Sequence, residues 1–186
     1  MTAWNARVRP YAARSMEEPL FHIVLYQPQI PQNTGNIGRT AMATHCRLHV
    51  IHPIGFDMDE KARRRAGLDY WEHVDCIEHA SWEEYLRSQR PKRLWLFTTH
   101  GTKAHWKARF QIGDHLLFGQ ELGGVPETVH AWVDDTFGRE HRIAFPMVAQ
   151  PEARSLNLAT AVACGVYEGL RQVTAGTDCL PATYHP

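Results

Sequence analysis

The sequence predicts an α/β domain built on a mostly parallel sheet that is flanked by helices. Its apolar runs are short and nearly continuous, as in strands covered on both faces, and they alternate with stretches of helical character. The length of 186 residues, with 44% hydrophobic and 22% charged residues, fits one globular domain. No apolar run approaches the roughly 18 residues that a membrane span needs.

Five apolar runs rich in β-formers are predicted to be strands. In chain order they are FHIVLY (21–26), RLHVI (47–51), RLWLFT (93–98), HLLFG (115–119) and RIAFP (142–146). Helices are predicted over residues 35–46, 58–67, 81–88 and 155–172. Ser81, with Glu84 three residues later, forms a capping box at the start of the third helix. The alternation of strands and helices favours parallel pairing.

The last predicted helix, residues 155–172, is apolar or small on nearly all of its faces. A surface helix keeps a polar face, so this composition indicates burial on more than one side. The sheet of the same chain accounts for one side, and a second subunit would account for the other. A central helix of a larger core would show the same pattern.

The two ends of the chain differ in composition from the middle. Residues 1–20 are rich in arginine and lack the apolar segment of a secretory signal, so they are predicted to be a disordered extension, with Met16 as an alternative start. Residues 21–173 are expected to form the single domain and residues 174–186 a C-terminal tail. These features favour a cytoplasmic protein.

Cysteine and histidine patterns give no indication of a metal. The four cysteines lie far apart without a C-x-x-C pair, which argues against a zinc site or a disulfide framework. The twelve histidines are scattered singly, and most of them are expected on the surface or in loops. Twenty basic residues balance twenty acidic ones, so net charge does not indicate a nucleic-acid partner, although a local basic patch is compatible with it.

Three loops follow predicted strands, where open parallel sheets bind their ligands. The first, QPQIPQNTGN (27–36), matches neither a Walker A motif nor the G-x-G-x-x-G fingerprint. It offers Asn33, Thr34 and Asn36 at the start of a helix, with Arg39 one turn further. The alternative is an N-capped helix with an ordinary surface arginine.

The second loop, GQELGGVP (119–126), holds three glycines and Glu121. Its glycines either let a ligand approach the backbone or supply positive φ angles, and the alternative is a turn closed by Pro126. The third loop, PMVAQPEARSLN (146–157), brings Arg154, Ser155 and Asn157 to the start of the apolar helix, where free amides favour anions. Here the alternative is that Ser155 is a plain N-cap.

Together, NTGNIGRTA, LLFGQELGGVP and FPMVAQPEARSLNLATAVACGVYEGLRQ resemble the three signature motifs of the SPOUT superfamily of RNA methyltransferases. Within it, IVLYQPQIPQNTGNIGRTA and ARRRAGLDYWEHV resemble the minimal bacterial tRNA wobble-nucleotide 2′-O-methyltransferases. The resemblance implies a C-terminal trefoil knot, S-adenosylmethionine held by the knot loops, and a homodimer with the active site at its interface. It also implies methyl transfer to the ribose 2′-oxygen of a wobble cytidine or modified uridine in tRNA.

Carried over by position, the resemblance implies a set of site residues. For the cofactor these are Phe97, Thr98, Gly119, Glu121, Phe145, Met147 and Ser155. The catalytic set is Arg39, Ser155, Asn157 and Tyr167, and the substrate-binding set is Asn33, Asn36, Arg39, Lys61, Arg64 and Arg65. Gln120 and Gly123 depart from the family pattern, which leaves substrate selection open.

The chemistry of these residues supports separate roles. Lys61, Arg64 and Arg65 fall on one helical face and would meet the RNA backbone, unless they form an ordinary solvated face. The guanidinium of Arg39 stays protonated, so it is expected to bind a phosphate or to stabilise the developing alkoxide. The glycines of the first loop are expected to let RNA come close. Methyl transfer requires no metal.

Other functions remain open at this stage. The first is a 2′-O-methyltransferase for another tRNA or rRNA nucleotide, although such relatives usually carry an extra RNA-binding domain. The second is an RNA-binding protein without catalysis. A dinucleotide-dependent oxidoreductase is disfavoured because the fingerprint and the ribose-binding acid are missing.

Overall fold

The computed structural model describes residues 18–57, 70–148 and 154–174. Its strands are β1 (His22–Tyr26), β2 (Arg47–Ile51), β3 (Cys76–His79), β4 (Leu94–Phe97), β5 (Lys103–Ala104), β6 (His115–Phe118) and β7 (Arg142–Ala144). They form one seven-stranded sheet in the order β3-β2-β1-β6-β4-β7-β5, and every neighbouring pair is parallel. The predicted α/β class with a mostly parallel sheet is confirmed.

Helices cover both faces of this sheet. They are α1 (Pro31–Ala43), α2 (Trp82–Gln89), α3 (Glu127–Phe137) and α4 (Leu158–Val173). Because strand side chains alternate between faces, Ile23 and Leu25 of β1 pack in the core beneath α1 and α4, whereas Val24 packs in the core beneath α2 and α3. Within the described ranges, no helix combines the length and apolar character that a membrane crossing requires.

The five predicted strands are all present, and β3 and β5 are additional. The first predicted helix begins earlier than expected, at Pro31, because proline is well suited to the first helical turn. The capping box of α2 is confirmed, since Ser81 Oγ accepts a hydrogen bond from the Glu84 amide at 3.2 Å. Helix α3 was not predicted. The expected helix 58–67, the start at Met16, most of the N-terminal extension and residues 175–186 of the tail lie outside the described residues.

Helix α4 has one buried face and one exposed face. Val162 and Val166 are fully buried against the sheet, and Gly169 lets the ring of Phe21 approach so closely that an added Cβ would lie 2.8 Å from it. Thr160, Cys164 and Tyr167 face outward. The sheet therefore covers one side of this helix, and its largely uncharged outer side is uncovered in a single chain.

The expectation that the histidines are isolated surface residues is wrong for four of them. His22, His49, His79 and His115, here the histidine cluster, lie on the face of the sheet that α2 covers. The strand register places His22 beside His115, and their rings stack with centroids 4.1 Å apart. Hydrogen bonds of 2.9 and 3.0 Å link His22 to His49 and His49 to His79. Tyr85 of α2 bonds to His115 Nδ1 at 2.6 Å.

One nitrogen from each of His22, His49 and His115 lies within 4.8 Å of the other two, which is a spacing that metal sites can adopt. However, the rings of His22 and His115 are nearly parallel, with an interplanar angle of 5°. Imidazole binds a metal in the plane of its ring, so two stacked rings do not direct their lone pairs at a common point. The arrangement fits a hydrogen-bonded and stacked packing cluster.

Candidate active site

A cavity of about 660 Å³ opens at the carboxyl ends of β4, β6 and β7. Parallel sheets bind ligands at this edge, because the loops that leave the strands diverge there. The residues predicted to bind the cofactor all line the cavity, namely Phe97, Thr98, Gly119, Glu121, Phe145, Met147 and Ser155. The structure therefore brings together residues from three separate loops that the sequence alone linked only by resemblance.

Aromatic rings form the apolar wall of the cavity. Phe97 stacks on Phe118 with centroids 4.5 Å apart and on Phe145 at 5.3 Å. Helix α4 reaches these rings through Gly165, where an added Cβ would lie 2.8 Å from Phe97. The wall is thus fixed by close packing, and it offers flat apolar surfaces of the kind that nucleoside bases contact.

Polar side chains form the opposite wall and connect the three loops. Glu121 accepts hydrogen bonds from the amides of Gln29 and Ile30 at 2.9 and 3.2 Å, and from Asn33 Nδ2 at 2.9 Å. Asn157 Nδ2 donates to Asn33 Oδ1 at 2.9 Å. Glu121, Asn33 and Asn157 are called the loop network below. Its carboxylate also lies at the start of α1, where the helix dipole favours negative charge.

Asn157 has a second contact, since its Oδ1 accepts hydrogen bonds from the amides of Ala159 and Thr160. Asn157 is therefore the N-cap of α4, so the alternative that Ser155 caps this helix is wrong. Ser155 lies before the helix, exposed in the cavity wall. The cap fixes the amide of Asn157 against Asn33, which ties the start of α4 to the first loop.

The glycines of the second loop shape a tight turn. Gln120 and Gly124 exchange two backbone hydrogen bonds of 3.0 Å, and Gly124 adopts a φ of 64°. A side chain at Gly119 would collide with the backbone of Gly124. These glycines form the turn that holds Glu121 in place, and Gly119 also lines the cavity.

The glycines of the first loop do not face a ligand, which corrects the expectation that they let RNA approach. Gly35 and Gly38 are buried in α1, where an added Cβ at Gly38 would lie 2.6 Å from the ring of Trp71. The hydroxyl of Tyr70 donates to the Gly35 carbonyl at 2.8 Å. The small residues thus allow the segment at 70–71 to pack on α1.

Arg39 lies beside this contact and outside the cavity. Its guanidinium carbon sits 4.5 Å from the centre of the Tyr70 ring, a cation–π arrangement. Arg39, Asn36 and Tyr167 line a separate open groove of about 510 Å³ between α1 and α4. Asn157 borders both the cavity and the groove. A single chain therefore holds its predicted cofactor residues and its predicted catalytic arginine on adjoining but different surfaces.

Several residues of the cavity wall were not predicted from the sequence. They are Thr99 and His100 after β4, and Glu127 and His130 in α3. No motif marks these positions, and a lone histidine in an unpredicted helix gives no signal. The predicted basic residues Lys61, Arg64 and Arg65 lie outside the described part of the chain.

With this geometry established, comparisons with known proteins identify the family. Residues 20–167 match the SpoU rRNA methylase family. The chain belongs to this family. The predicted resemblance is confirmed, and the protein is a methyltransferase.

Individual SpoU methylases give closer matches. The tRNA (cytidine(34)-2′-O)-methyltransferase of Saccharophagus degradans is 46% identical over 154 residues, which cover 83% of this chain and 96% of that protein. A solved structure described as showing 2′-OH methylation of C/U34 on tRNA is 45% identical, with a TM-score of 0.73, covering 83% of this chain and 96% of that one. The SpoU methyltransferase AviRb of Streptomyces viridochromogenes, solved with the cofactor AdoMet, shares the fold at 24% identity and a TM-score of 0.65, covering 87% and 60% of the two chains.

Proposed function

We propose that this methyltransferase transfers the methyl group of S-adenosylmethionine to the ribose 2′-oxygen of the wobble nucleotide of tRNA, with cytidine or a modified uridine as the base. The observation that carries the proposal is the cavity at the carboxyl ends of the strands, which all seven expected cofactor residues line. Relatives of near-equal length that methylate cytidine 34 support the choice of nucleotide.

The residues of the site have distinct parts in this reaction. A ribose hydroxyl is a weak nucleophile at neutral pH, whereas the methyl group of a sulfonium is a reactive electrophile. The enzyme must mainly hold the two in line, which supplies roughly 7–11 kcal/mol of the barrier reduction. The loop network serves this purpose because it fixes three loops relative to one another. Arg39 carries a permanent positive charge that stabilises the developing alkoxide or binds a neighbouring phosphate.

A homodimer completes the site in this proposal. Arg39 lines the groove between α1 and α4, whereas the cofactor cavity lies on the other side of Asn157. The groove has small side chains at Ala159 and Ala163, and the Tyr167 ring beside it is 54% exposed. Such a surface suits close packing of a second copy, which would bring Arg39 of one subunit to the cavity of the other. Exchanging Tyr167→Glu should then yield a monomer, as measured by sedimentation, without methyl-transfer activity.

The trefoil knot implied by the resemblance is also part of the proposal. Strand β7 is the last strand in the chain, yet it lies between the earlier strands β4 and β5. The chain then returns to α4 beside the loop at 119–126, with Gly119 and Ser155 in one cavity wall. This insertion of a late segment among earlier ones is the arrangement that a knot requires. Because tRNA is the proposed substrate, the proposal includes a cytoplasmic location.

Recognition of tRNA is assigned to the basic segment around Lys61, Arg64 and Arg65, together with Asn36 on the exposed side of α1. Positive charge is needed there because phosphate contacts dominate affinity for RNA. Replacing Arg64 and Arg65 by glutamate should weaken tRNA binding and flatten its dependence on salt. Unchanged binding would remove this segment from the proposal.

The decisive experiment is methylation of total tRNA from the host that lacks this enzyme, with purified protein and S-adenosylmethionine. Mass spectrometric mapping should then find the new 2′-O-methyl group at the wobble nucleotide. A methyl group at another tRNA nucleotide or in rRNA would replace the proposed substrate. Binding of tRNA without any methylation would indicate a non-catalytic RNA-binding member.

A further inference from the structure

His130 is a buried polar residue in the cavity wall that no other part of the site explains. It lies in the first turn of α3, and only 6% of its surface is exposed. Its Nδ1 is fully buried and has no hydrogen-bond partner among the described residues. Burial of an unpaired polar atom costs free energy, and buried polar groups in folded proteins are normally paired. An atom of this kind in the wall of a ligand cavity is therefore expected to pair with the ligand.

The surroundings of His130 keep its ring neutral. Burial lowers the pKa of His130, and the nearby Arg142 guanidinium lowers it further, whereas Glu127 opposes the shift. Arg142 itself is paired with Asp134 at 3.1 Å and donates to the His100 carbonyl. The His100 ring contacts His130 edge to face, with centroids 6.3 Å apart. The imidazole thus offers one neutral nitrogen, which can donate or accept according to its tautomer.

This environment discriminates between the two ends of S-adenosylmethionine. The ionised amino-acid end needs water or opposite charges, and the charged side chains Glu127 and Arg154 stand at the exposed rim of the cavity. The adenine base is neutral and flat, and its edge carries both donors and acceptors. Stacked rings at Phe97 and Phe118 offer it apolar contact within the same cavity. A neutral, buried nitrogen therefore fits the base better than the amino-acid end.

We propose that His130 binds the adenine base of the cofactor through a hydrogen bond from Nδ1 to an edge of the base. The proposal rests on the proposed function for the identity of the cofactor, and it adds a residue that sets specificity for the base. It also explains why α3 begins at the cavity: the helix carries His130 into a wall that is otherwise built from loops.

Calorimetric binding of three ligands tests the assignment. S-adenosylhomocysteine, 5′-methylthioadenosine and adenosine share the base, but only the first carries the amino-acid end. His130→Leu keeps the approximate volume and removes both nitrogens, so it should weaken all three ligands by a similar factor of about threefold to tenfold. His130→Asn, which keeps a donor and an acceptor, should restore part of the affinity. The matched control His73→Leu changes an exposed histidine outside the cavity and should leave all three affinities unchanged.

Other outcomes overturn the assignment. A loss confined to S-adenosylhomocysteine would place His130 at the amino-acid end, and equal affinities in wild type and His130→Leu would remove it from the site. If His130→Leu does not fold, nitrogen-15 spectra of wild-type histidines decide: the His130 Nδ1 signal should shift with 5′-methylthioadenosine, and no shift contradicts the contact. A wild-type protein that binds none of the three ligands would instead refute the proposed function.

Discussion

Two groups of buried polar side chains lie on the same sheet, and they differ in what surrounds them. The loop network joins three loops at the carboxyl ends of the strands, beside a cavity of about 660 Å³. The histidine cluster starts at the amino ends of β1 and β6, crosses to β3 and is closed by α2. One group borders space for a ligand, and the other is paired almost entirely with itself and with Tyr85.

The difference separates binding from stability. In the histidine cluster, polar atoms satisfy one another in the interior, so their pairing contributes to folding and leaves nothing to offer a ligand. In the loop network, the same kind of pairing fixes loops whose remaining surfaces face an open cavity. A change in the cluster should therefore alter stability with little effect on cofactor binding, whereas a change around the cavity should alter binding or turnover.

Acid tests the stabilising role of the histidine cluster and has the largest expected effect. Burial lowers the pKa of His49 to about 2 and that of His115 to about 3. Both values lie below the unfolded value of 6.5, so the stabilisation is complete above pH 6.5 and is lost as the pH falls toward the folded values. Between pH 7 and pH 5 each residue should cost about 2 kcal/mol, together about 4 kcal/mol of unfolding free energy.

Urea denaturation at several pH values measures this loss. The variant His115→Phe cannot bind the extra proton in its unfolded state, so its stability should fall less steeply with acid than that of the wild type. His73→Phe, at an exposed histidine, should keep the wild-type slope. Identical slopes for wild type and His115→Phe would show that the cluster does not hold its rings neutral.

Arg39→Ala tests the catalytic side of the comparison. Arg39 lies outside the cavity, so the variant should bind S-adenosylhomocysteine with wild-type affinity. Methyl transfer should fall by about 10²–10³-fold, the range for removing one charged or hydrogen-bonding group that stabilises the transition state. Calorimetry and single-turnover methylation measure the two quantities separately. Equal loss of binding and turnover would contradict the separation between cavity and groove.

The sequence could predict the cavity because its parts carry local signals. Strands β4, β6 and β7 are short apolar runs, and small polar residues such as Ser155 and Asn157 follow them. The order of the strands in space, and hence the fact that three distant loops meet, came from resemblance to a known family. The same resemblance pointed to Glu121 as a cofactor ligand, whereas its hydrogen bonds to Gln29, Ile30 and Asn33 became visible only in three dimensions.

The histidine cluster could not be predicted for the opposite reason. Its members lie on four strands, and only the register of the sheet brings His22 next to His115 and within reach of His49. A single histidine in an apolar run has the same local pattern whether it is paired or exposed. Helix α3 was missed because the glycine-rich turn and Pro126 dominate its start, and His130 was missed along with it.

Glu121→Gln tests how strongly the loop network holds the three loops. The exchange keeps the shape but places an amide NH₂ where one oxygen accepts hydrogen bonds, which leaves a backbone donor of Gln29 or Ile30 facing another donor. Losing a charge-assisted hydrogen bond should cost about 2 kcal/mol of unfolding free energy and should also weaken cofactor binding. Glu127→Gln, at an exposed carboxylate in the same wall, is the control. An equal cost in both variants would mean that charge in the cavity wall, and not the network, is responsible.

The smallest expected effect concerns Tyr70, which connects α1 to the groove. Its ring faces the Arg39 guanidinium at 4.5 Å, so it is a positioning residue for the proposed catalytic arginine. Tyr70→Leu removes a cation–π contact of about 0.5–1 kcal/mol and should lower kcat by about twofold to fivefold, with an unchanged KM for S-adenosylmethionine. Tyr70→Phe keeps the ring but loses the hydrogen bond to the Gly35 carbonyl, so it should lower the melting temperature while preserving kcat. If both variants lower kcat equally, packing of the segment on α1 controls turnover, and the ring does not position Arg39.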